Sequence, residues 1–222
     1  MHIFLLGANG RTGQLVTAEA LKQGHIVTAL IRNASTLNPR PNLNIVQGSP
    51  LNKSDIEKAF TNTPVKFDAV IDTLAATRAS NSPFSKQTAP KWLMRDAIRN
   101  ITPLMHEHNI TRIIIMSAFG SGSSYAHASL PLKLLVNYSG MTPQFQDHTA
   151  IGAEVKAMEW LDWTLVRPPM LTDDAARPVR SFGEDGEGVR VWDSCSRESV
   201  AVFLVGLVEK RDLVRKSVVI AN

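Results

Sequence analysis

Hydrophobic and polar residues recur along the chain in two different rhythms. Short unbroken apolar runs, such as residues 3–6 and 113–116, are typical of parallel strands buried on both faces. Elsewhere apolar residues return every three to four positions, as Leu15, Ala18 and Leu21 do, which predicts amphipathic helices. Strands that alternate with helices predict a Rossmann-type, doubly wound α/β fold with a mostly parallel sheet and helices on both faces.

The boundaries of these elements follow from the same pattern and from turn and capping residues. The predicted strands cover residues 3–6, 25–31, 44–47, 67–72, 112–117, 163–166 and 217–220, and the predicted helices cover about 11–24, 55–60, 90–107, 147–160 and 199–210. Ser54, with Glu57 three residues later, is expected to cap the second helix.

We expect residues 1–222 to form one domain, since no linker or composition break divides them. Two irregular segments, about 118–145 and 168–195, interrupt the alternation. Long loops in compact domains are commonly functional, so we expect these two cover segments to lie over the acceptor site.

A glycine-rich loop joins the first strand to the first helix, with the spacing G-x-x-G-x-x-G. Its first glycine permits a tight turn, its second a close approach to a pyrophosphate, and its third tight packing of the helix on the strand. The helix N-terminus also offers free amide groups and a partial positive charge. The loop therefore predicts a dinucleotide site that includes Gly7, Asn9, Gly10, Arg11, Thr12 and Gly13.

Arg32 follows the second strand, at the position where dinucleotide folds distinguish their cofactors. A carboxylate there binds the ribose 2′-hydroxyl of NAD, whereas an arginine accepts the 2′-phosphate of NADP. Residues 31–33 contain no carboxylate. The sequence thus favours NADP, with NAD as the alternative if Arg32 only stacks on the adenine.

Charge and cysteine content narrow the remaining classes. The chain has 24 Lys and Arg against 20 Asp and Glu, and its basic residues are scattered, so we expect no nucleic-acid partner. The apolar runs are too short to span a bilayer, and we see no signal-peptide pattern or membrane partner. A single cysteine, Cys195, fits a reducing compartment and is interpreted as a small apolar side chain; we expect a cytoplasmic protein.

Four features together resemble the atypical short-chain dehydrogenase/reductase group, which includes the NmrA-like proteins and the flavin reductase/biliverdin reductase B proteins. They are the loop at residues 7–13, Arg32, the segment Ile-Ile-Met-Ser-Ala-Phe at 114–119, and Glu154 followed by Leu-Asp-Trp-Thr-Leu-Val-Arg-Pro at 161–168. The last feature is the most specific, and together they span most of residues 1–170.

The resemblance implies an NAD(P)H-dependent oxidoreductase and a path for its cofactor. The adenine side would lie near Gly48 and Ser49. The ribose and nicotinamide would pass Leu74, Ala75, Ala76, Ser117, Ala118, Pro168 and Met170. Arg167 is interpreted as a structural anchor of the strand end in preference to a catalytic group.

The catalytic Tyr-x-x-x-Lys pair of short-chain dehydrogenases is missing from the sequence. Neither Tyr125 nor Tyr138 is followed by lysine four residues later, and the family positions of the pair fall on Gln146 and Ala150. Alcohol dehydrogenation needs a base, so this chemistry is disfavoured. Reduction of a flavin, quinone or similar conjugated small molecule asks less of the protein.

Ser117 and His148 are the candidate catalytic residues. Ser117 would donate a hydrogen bond to the acceptor, and its alternative is a strand-end serine that satisfies local backbone. His148 would donate a proton with a pKa near working pH, and its alternative is a surface histidine. No metal site is expected, since His106 and His108 lie two apart on a helix and point to different sides.

Two functions remain open at this point. One is an NADPH-dependent reductase of a flavin- or quinone-like acceptor. The other is a non-catalytic, NADP-binding redox-sensing regulator of the NmrA-like type. A sugar-nucleotide epimerase is disfavoured by the missing Tyr-Lys pair and the short C-terminal region, and a homodimer is an open alternative to a monomer.

Overall fold

The computed structural model describes residues 1–61, 65–80 and 82–222. The strands are β1 His2–Leu6, β2 Ile26–Ile31, β3 Leu43–Gln47, β4 Ala69–Asp72, β5 Arg112–Met116, β6 Asp162–Arg167, β7 Met170–Thr172, β8 Arg180–Ser181, β9 Ser194–Ser196 and β10 Lys216–Ala221. The helices are α1 Arg11–Lys22, α2 Lys53–Thr61, α3 Leu93–Glu107, α4 Leu130–Tyr138, α5 Thr142–Lys156 and α6 Arg197–Glu209, with short 3₁₀ turns at Ala34–Thr36 and Gly122–Tyr125.

The main sheet has the strand order β3-β2-β1-β4-β5-β6-β10-β8. All of its neighbours pair in parallel except β8, which runs antiparallel to β10. The chain moves outward from β1 to β3 and then returns to β4 on the other side of β1. This reversal confirms the Rossmann-type fold and creates a crevice at the carboxyl ends of β1 and β4, where such sheets bind ligands.

Two apolar layers cover the two faces of the sheet, which explains the unbroken apolar runs. In β1, Ile3 and Leu5 belong to the layer that contains residues of α1 and α6. Phe4 and Leu6 belong to the layer that contains residues of α2, α3 and α5. Alternate side chains of one strand thus enter opposite layers.

The start of α2 differs from the prediction. The helix begins at Lys53, and the Oδ1 atom of Asn52 accepts hydrogen bonds from the backbone N–H and hydroxyl of Ser54 at 3.1 and 2.9 Å. Asn52 is therefore the capping side chain, and the capping box of Ser54 with Glu57 is wrong.

The first cover segment is more regular than its composition predicts. Residues 118–145 contain a 3₁₀ turn, all of α4 and the first turn of α5. Ser129 caps α4 by accepting a hydrogen bond from the N–H of Leu132, and Pro131 lies in the first turn, where a missing N–H costs nothing. In the second segment, β7 pairs with β9 and β8 joins the main sheet.

Candidate cofactor and acceptor site

The glycine loop lies at the carboxyl end of β1 and has room for no side chain at two of its positions. Gly7 has φ +80°, and a Cβ atom there would lie 2.7 Å from the backbone carbon of Thr73. A Cβ atom on Gly13 would lie 2.1 Å from the carbonyl oxygen of Gly7. The first helical turn is therefore packed directly on the loop, as the sequence predicts.

The N-terminus of α1 has backbone N–H groups that no described residue accepts. Gly10 precedes the helix, no side chain caps it, and its first turn contains no acidic residue. Among the residues that the structure describes, none accepts a hydrogen bond from the backbone N–H of Arg11, Thr12 or Gly13. Asn9, Gly10 and Arg11 are exposed. This cradle of amide donors and a positive helix end fits the pyrophosphate of a dinucleotide.

Arg11 has an acidic neighbour that sequence reasoning missed. The guanidinium lies 3.6 Å from the carboxylate of Asp173, and both side chains are largely exposed. Asp173 follows β7 and also accepts a hydrogen bond from Arg197 at 2.6 Å. A cleft of about 310 Å³ separates the N-termini of α1 and α6 here. The Asp173 carboxylate therefore occupies the position beside Arg11 at which the negative charge of a bound phosphate would be favourable.

Arg32 follows β2 and is exposed, with no ion pair to any residue in the described part of the chain. Nearby, the Asp55 carboxylate accepts a hydrogen bond from the N–H of Ser49 at 3.0 Å, and a Cβ atom on Gly48 would lie 2.7 Å from the Asp55 Cβ. Gly48 in turn donates its N–H to the carbonyl of Ile31. The predicted adenine side is thus held beside the end of β2.

The remaining predicted cofactor contacts come after three adjacent strands, so they meet at one edge of the sheet. These contacts are Leu74, Ala75 and Ala76 after β4, Ser117 and Ala118 after β5, and Pro168 and Met170 after β6. The last two segments are joined by backbone hydrogen bonds: the Ser117 N–H donates to the carbonyl of Val166 at 2.7 Å, and the Phe119 N–H donates to the carbonyl of Pro168 at 3.0 Å.

Five polar side chains form a buried layer at this edge, and we call them the buried polar layer. Asp72 and Arg167 are the last residues of β4 and β6, Ser117 directly follows β5, and Asp147 and His148 come from α5. None of the five is more than 4% exposed. Buried groups that bear charge are costly unless they are paired or functional, so the layer marks a candidate active site.

Strand alternation explains why these side chains share a face. Val70, Ile115 and Leu165 all belong to the apolar layer on the α3 and α5 side. Each precedes by two residues the polar side chain of its own strand, and side chains two apart point the same way. The buried polar layer therefore continues this apolar layer toward the carboxyl edge of the sheet.

Two carboxylates in the buried polar layer have different surroundings. Both oxygens of Asp147 accept hydrogen bonds, from the N–H groups of Met94 and Arg95 at 2.9 Å, so this side chain caps α3. Among the residues that the structure describes, Asp72 has one donor, the N–H of Leu74 at 2.8 Å. Burial, helped by the negative charge of Asp147, raises the pKa of Asp72 to about 7.

His148 is neither a group with a pKa near working pH nor a surface histidine, the two alternatives that the sequence left open. It is buried, and burial together with the neighbouring Arg167 charge lowers its pKa to about 4. The expectation of a pKa near working pH is therefore wrong, because the charged form loses its hydration. Its Nδ1 atom is buried with no hydrogen-bond partner among the described residues. At neutral pH His148 is a neutral imidazole with hydrogen-bonding capacity to spare.

Arg167 anchors both cover segments to the sheet. Its Nη1 donates to the Ser123 hydroxyl at 2.8 Å and to the backbone carbonyl of Glu184 at 3.1 Å. Ser123 belongs to the first segment and Glu184 to the second. This confirms the interpretation of Arg167 as a structural anchor.

Ser117 begins a short chain of hydroxyl groups. Its Oγ lies 3.3 Å from the Oγ of Ser121, which donates to the carbonyl of Ala118 at 2.6 Å. Because the Ser121 proton is used on that carbonyl, the Ser117 hydroxyl is the donor in the long contact with Ser121, and it would exchange that contact for one with a bound acceptor.

Other predicted residues lie away from this edge or are chemically quiet. Tyr138 is 78% exposed. His106 and His108 pack against the rings of Trp160 and Phe60. Cys195 is buried, and burial raises its pKa to about 11, which agrees with a small apolar side chain.

Ser117 and His148, the two candidates named from the sequence, lie in the buried polar layer, whereas Asp72, Asp147 and Asp173 were not named. A signal for Asp72 was present, since a carboxylate directly follows the apolar residues 69–71 of a buried strand. Asp147 and Asp173 carry no comparable local signal, because their partners lie far away along the chain.

Comparisons with known proteins agree with this geometry. Residues 7–211 match the NAD(P)H-binding family. The uncharacterized protein YwnB of Bacillus subtilis (strain 168) is 25% identical over 199 residues, which are 86% of this chain and 82% of that protein.

Two solved structures share the fold. ChuY, an anaerobillin reductase from Escherichia coli O157:H7, has a TM-score of 0.77 at 19% identity, and the aligned region covers 99% of this chain and 96% of ChuY. A short-chain dehydrogenase/reductase (wide type) from Veillonella parvula DSM 2008, solved in complex with NADP, has a TM-score of 0.73 at 19% identity, covering 100% and 94%. No helix in the described ranges is both long and apolar enough to cross a membrane.

Proposed function

The chain belongs to the NAD(P)H-binding family, and from this premise we propose that it is an NADPH-dependent reductase of a flat, conjugated acceptor such as a flavin or a quinone. One observation carries the proposal. The amide cradle of the glycine loop and the buried polar layer lie at the same carboxyl edge of the sheet, on adjacent strands β1, β4, β5 and β6.

The preference for NADPH over NADH rests on Arg32. This side chain is exposed and has no ion pair with a described residue, so its charge is available to a 2′-phosphate. Arg11, in the first turn of α1 and beside Asp173, supports the binding of the pyrophosphate that both cofactors share. The NADP complex of the Veillonella parvula protein supports the same choice by analogy of fold only.

The chain's own residues supply binding and orientation. A bound NADPH supplies the hydride. The glycine loop holds the pyrophosphate, and residues 74–76 and 168–170 border the path toward the acceptor. Ser117 donates a hydrogen bond to the acceptor oxygen or nitrogen on which negative charge develops. His148 is uncharged at neutral pH, so it offers its unpartnered Nδ1 to a bound polar group and does not act as a cationic proton donor.

A reductase of conjugated acceptors needs no Tyr-Lys pair, and none is present. The position of the family tyrosine is occupied by exposed Gln146. The solved neighbour ChuY is named a reductase, and only this reaction class is carried over to the proposal. Membership of the flavin reductase branch, in preference to the NmrA-like regulators, is part of the same proposal.

The test is oxidation of NADPH and NADH with FMN or menadione as acceptor, followed by the absorbance of the reduced nicotinamide. We expect turnover with NADPH, reduced about 100-fold by Ser117→Ala, which removes one donor at the reacting group. Ser54→Ala, on exposed α2, is the matched control and should keep the wild-type rate. Tight NADPH binding without turnover of either acceptor would favour the redox-sensing regulator instead.

A further inference from the structure

Asp72 is the member of the buried polar layer whose chemistry the hydrogen bonds leave open. It pairs in register with Leu6 of β1 and with Ile115 of β5. Gly7 follows the first partner by one residue, and Ser117 follows the second by two. Asp72 therefore lies between the cofactor loop and the proposed acceptor contact, at the same edge of the sheet.

The carboxyl group of Asp72 is built to keep a proton. Its Oδ1 accepts one backbone hydrogen bond, while Oδ2 receives none from any residue in the described ranges. Asp147 has the reverse arrangement, with both oxygens satisfied by N–H donors. When two buried carboxylates are close, the one with fewer donors takes the proton.

The other charged groups around Asp72 do not neutralise it by an ion pair. Arg167 is committed to Ser123 and the Glu184 carbonyl, and Arg95 at the start of α3 pairs with Asp96 at 2.7 Å. On the flanking strands the neighbours of Asp72 are the apolar residues Leu6 and Ile115. The charged and titratable groups on the surrounding elements are Arg95 and Asp96 on α3, Asp147 and His148 on α5, and Arg167 on β6.

We propose that the Asp72 carboxyl group holds the proton that accompanies reduction of the acceptor and releases it at the Ser117 end of the buried polar layer. This inference rests on the proposed function. The Nδ1 of His148 and the Nε of Arg167 are both buried without a hydrogen-bond partner among the described residues. Such spare polar capacity in the same layer is what a polar acceptor group or a transferring proton requires.

The chemistry balances. The acceptor gains a hydride from NADPH, which is two electrons and one proton, and the negative charge that develops on its oxygen or nitrogen is removed by a second proton. The O–H bond of Asp72 breaks as its proton forms a new O–H or N–H bond on the acceptor. The carboxylate then regains its proton from water, so each cycle consumes one NADPH and one solvent proton.

A pH profile separates this role from a structural one. For wild-type protein with NADPH and menadione, the rate should fall as pH rises through about 7, where Asp72 loses its proton. Asp72→Asn keeps the shape but not the proton, so the rate should fall at least about 10-fold and lose this inflection. NADPH affinity, read from fluorescence, should stay unchanged. Asp68→Asn makes the same change at an exposed residue just before β4; its amide oxygen can still accept the hydrogen bond from the His2 N–H, so the rate and the inflection should stay as in wild type.

A second measurement uses no turnover and no variant. Titration of wild-type protein labelled with ¹³C at the aspartate carboxyl carbons should show Asp72 with a midpoint near 7. Turnover by a wild-type protein whose Asp72 titrates below about 5 overturns this inference alone, as does an Asp72→Asn profile that keeps the inflection. A wild-type protein that reduces no acceptor overturns the proposed function, and this inference with it, whatever the titration shows.

Discussion

The glycine loop and the buried polar layer lie at the same edge of one sheet but are built on opposite principles. The loop is open, its useful groups are backbone amides, and its specificity comes from the absence of side chains at Gly7 and Gly13. The layer is closed, and its useful groups are side chains, none more than 4% exposed. A binding site for a charged, mobile cofactor suits the first design, and control of protonation suits the second.

The largest expected difference between the two regions is in how the free energy of unfolding depends on pH, because only the buried polar layer contains titrating groups with large pKa shifts. A pKa of about 7 in the fold against 3.8 when unfolded means that Asp72 stabilises the protein in acid and loses up to about 4 kcal/mol of that contribution as pH rises from about 4 to 7. Asp72→Asn removes the titration. The free energy of unfolding of the variant, relative to wild type, should therefore rise across this range.

His148 gives the opposite sign and is the control for that measurement. Its pKa is lowered from 6.5 to about 4, so its stabilising contribution is complete above the unfolded pKa and is lost in acid, by about 3 kcal/mol. His148→Gln should gain stability relative to wild type as pH falls. Urea titrations of both variants check the signs, and parallel curves for wild type and both variants would contradict the buried layer.

Substitutions in the glycine loop should abolish NADPH binding through steric conflict, independently of charge and pH. Gly13→Ala places a methyl carbon 2.1 Å from the Gly7 carbonyl oxygen, so the loop must shift, at a cost of about 1–3 kcal/mol. We expect NADPH binding to be lost at every pH. Gly206→Ala, inside α6 with no atom within 4 Å of the new carbon, should bind normally and gain up to about 1 kcal/mol of stability. Calorimetric titration with NADPH compares the two.

Cofactor selectivity is a smaller effect confined to the loop side. Arg32→Ala should weaken NADPH binding about 10-fold, the loss of one exposed charge-assisted contact, and leave NADH binding unchanged. NADH thus serves as the internal control in the same protein. Equal losses for the two cofactors would show that Arg32 stacks on the adenine and does not read the phosphate.

The smallest expected effect concerns Asp173, which lies beside Arg11 at the glycine loop. Its carboxylate lies 3.6 Å from the Arg11 guanidinium, and a bound pyrophosphate would compete with it for that charge. Asp173→Asn should tighten NADPH binding a few-fold, by less than about 1 kcal/mol, since exposed ion pairs are weak. The gain should vanish at high salt. Asp162→Asn, at the amino end of β6 with Arg211 as its partner, is the matched variant that should leave NADPH binding unchanged.

The difference between the two regions also explains what could be predicted from sequence. The glycine loop, the parallel strands and Arg32 follow from short local patterns, because each depends on neighbours a few residues away. The layer depends on β4, β5, β6 and α5 meeting in space, so Asp147 stayed unrecognised, and the carboxylate of Asp72 after a buried apolar run did not by itself reveal its partners. His148 was found, but its neutral state depends on Arg167 and burial, which no local pattern contains.

The first cover segment illustrates the same limit. Its glycines, serines and prolines indicate irregular structure, yet α4 forms between Ser129 and Ser139 because the cap and an early proline suit a helix start. Its predicted position over the acceptor stays a prediction. Exposure of Met170 on the second segment, at 63%, leaves a large apolar side chain beside the same edge.

The central claim is that one cofactor spans both regions, from the glycine loop to the buried polar layer. Amide resonances of isotopically labelled protein, followed during titration with NADPH, test it most directly. We expect shifts in residues 8–13, at Arg32, and around Leu74 and Ser117, with the C-terminal end of α3 and the start of β10 unchanged. Shifts restricted to the α6 surface, or their absence from both the loop and Ser117, would contradict it.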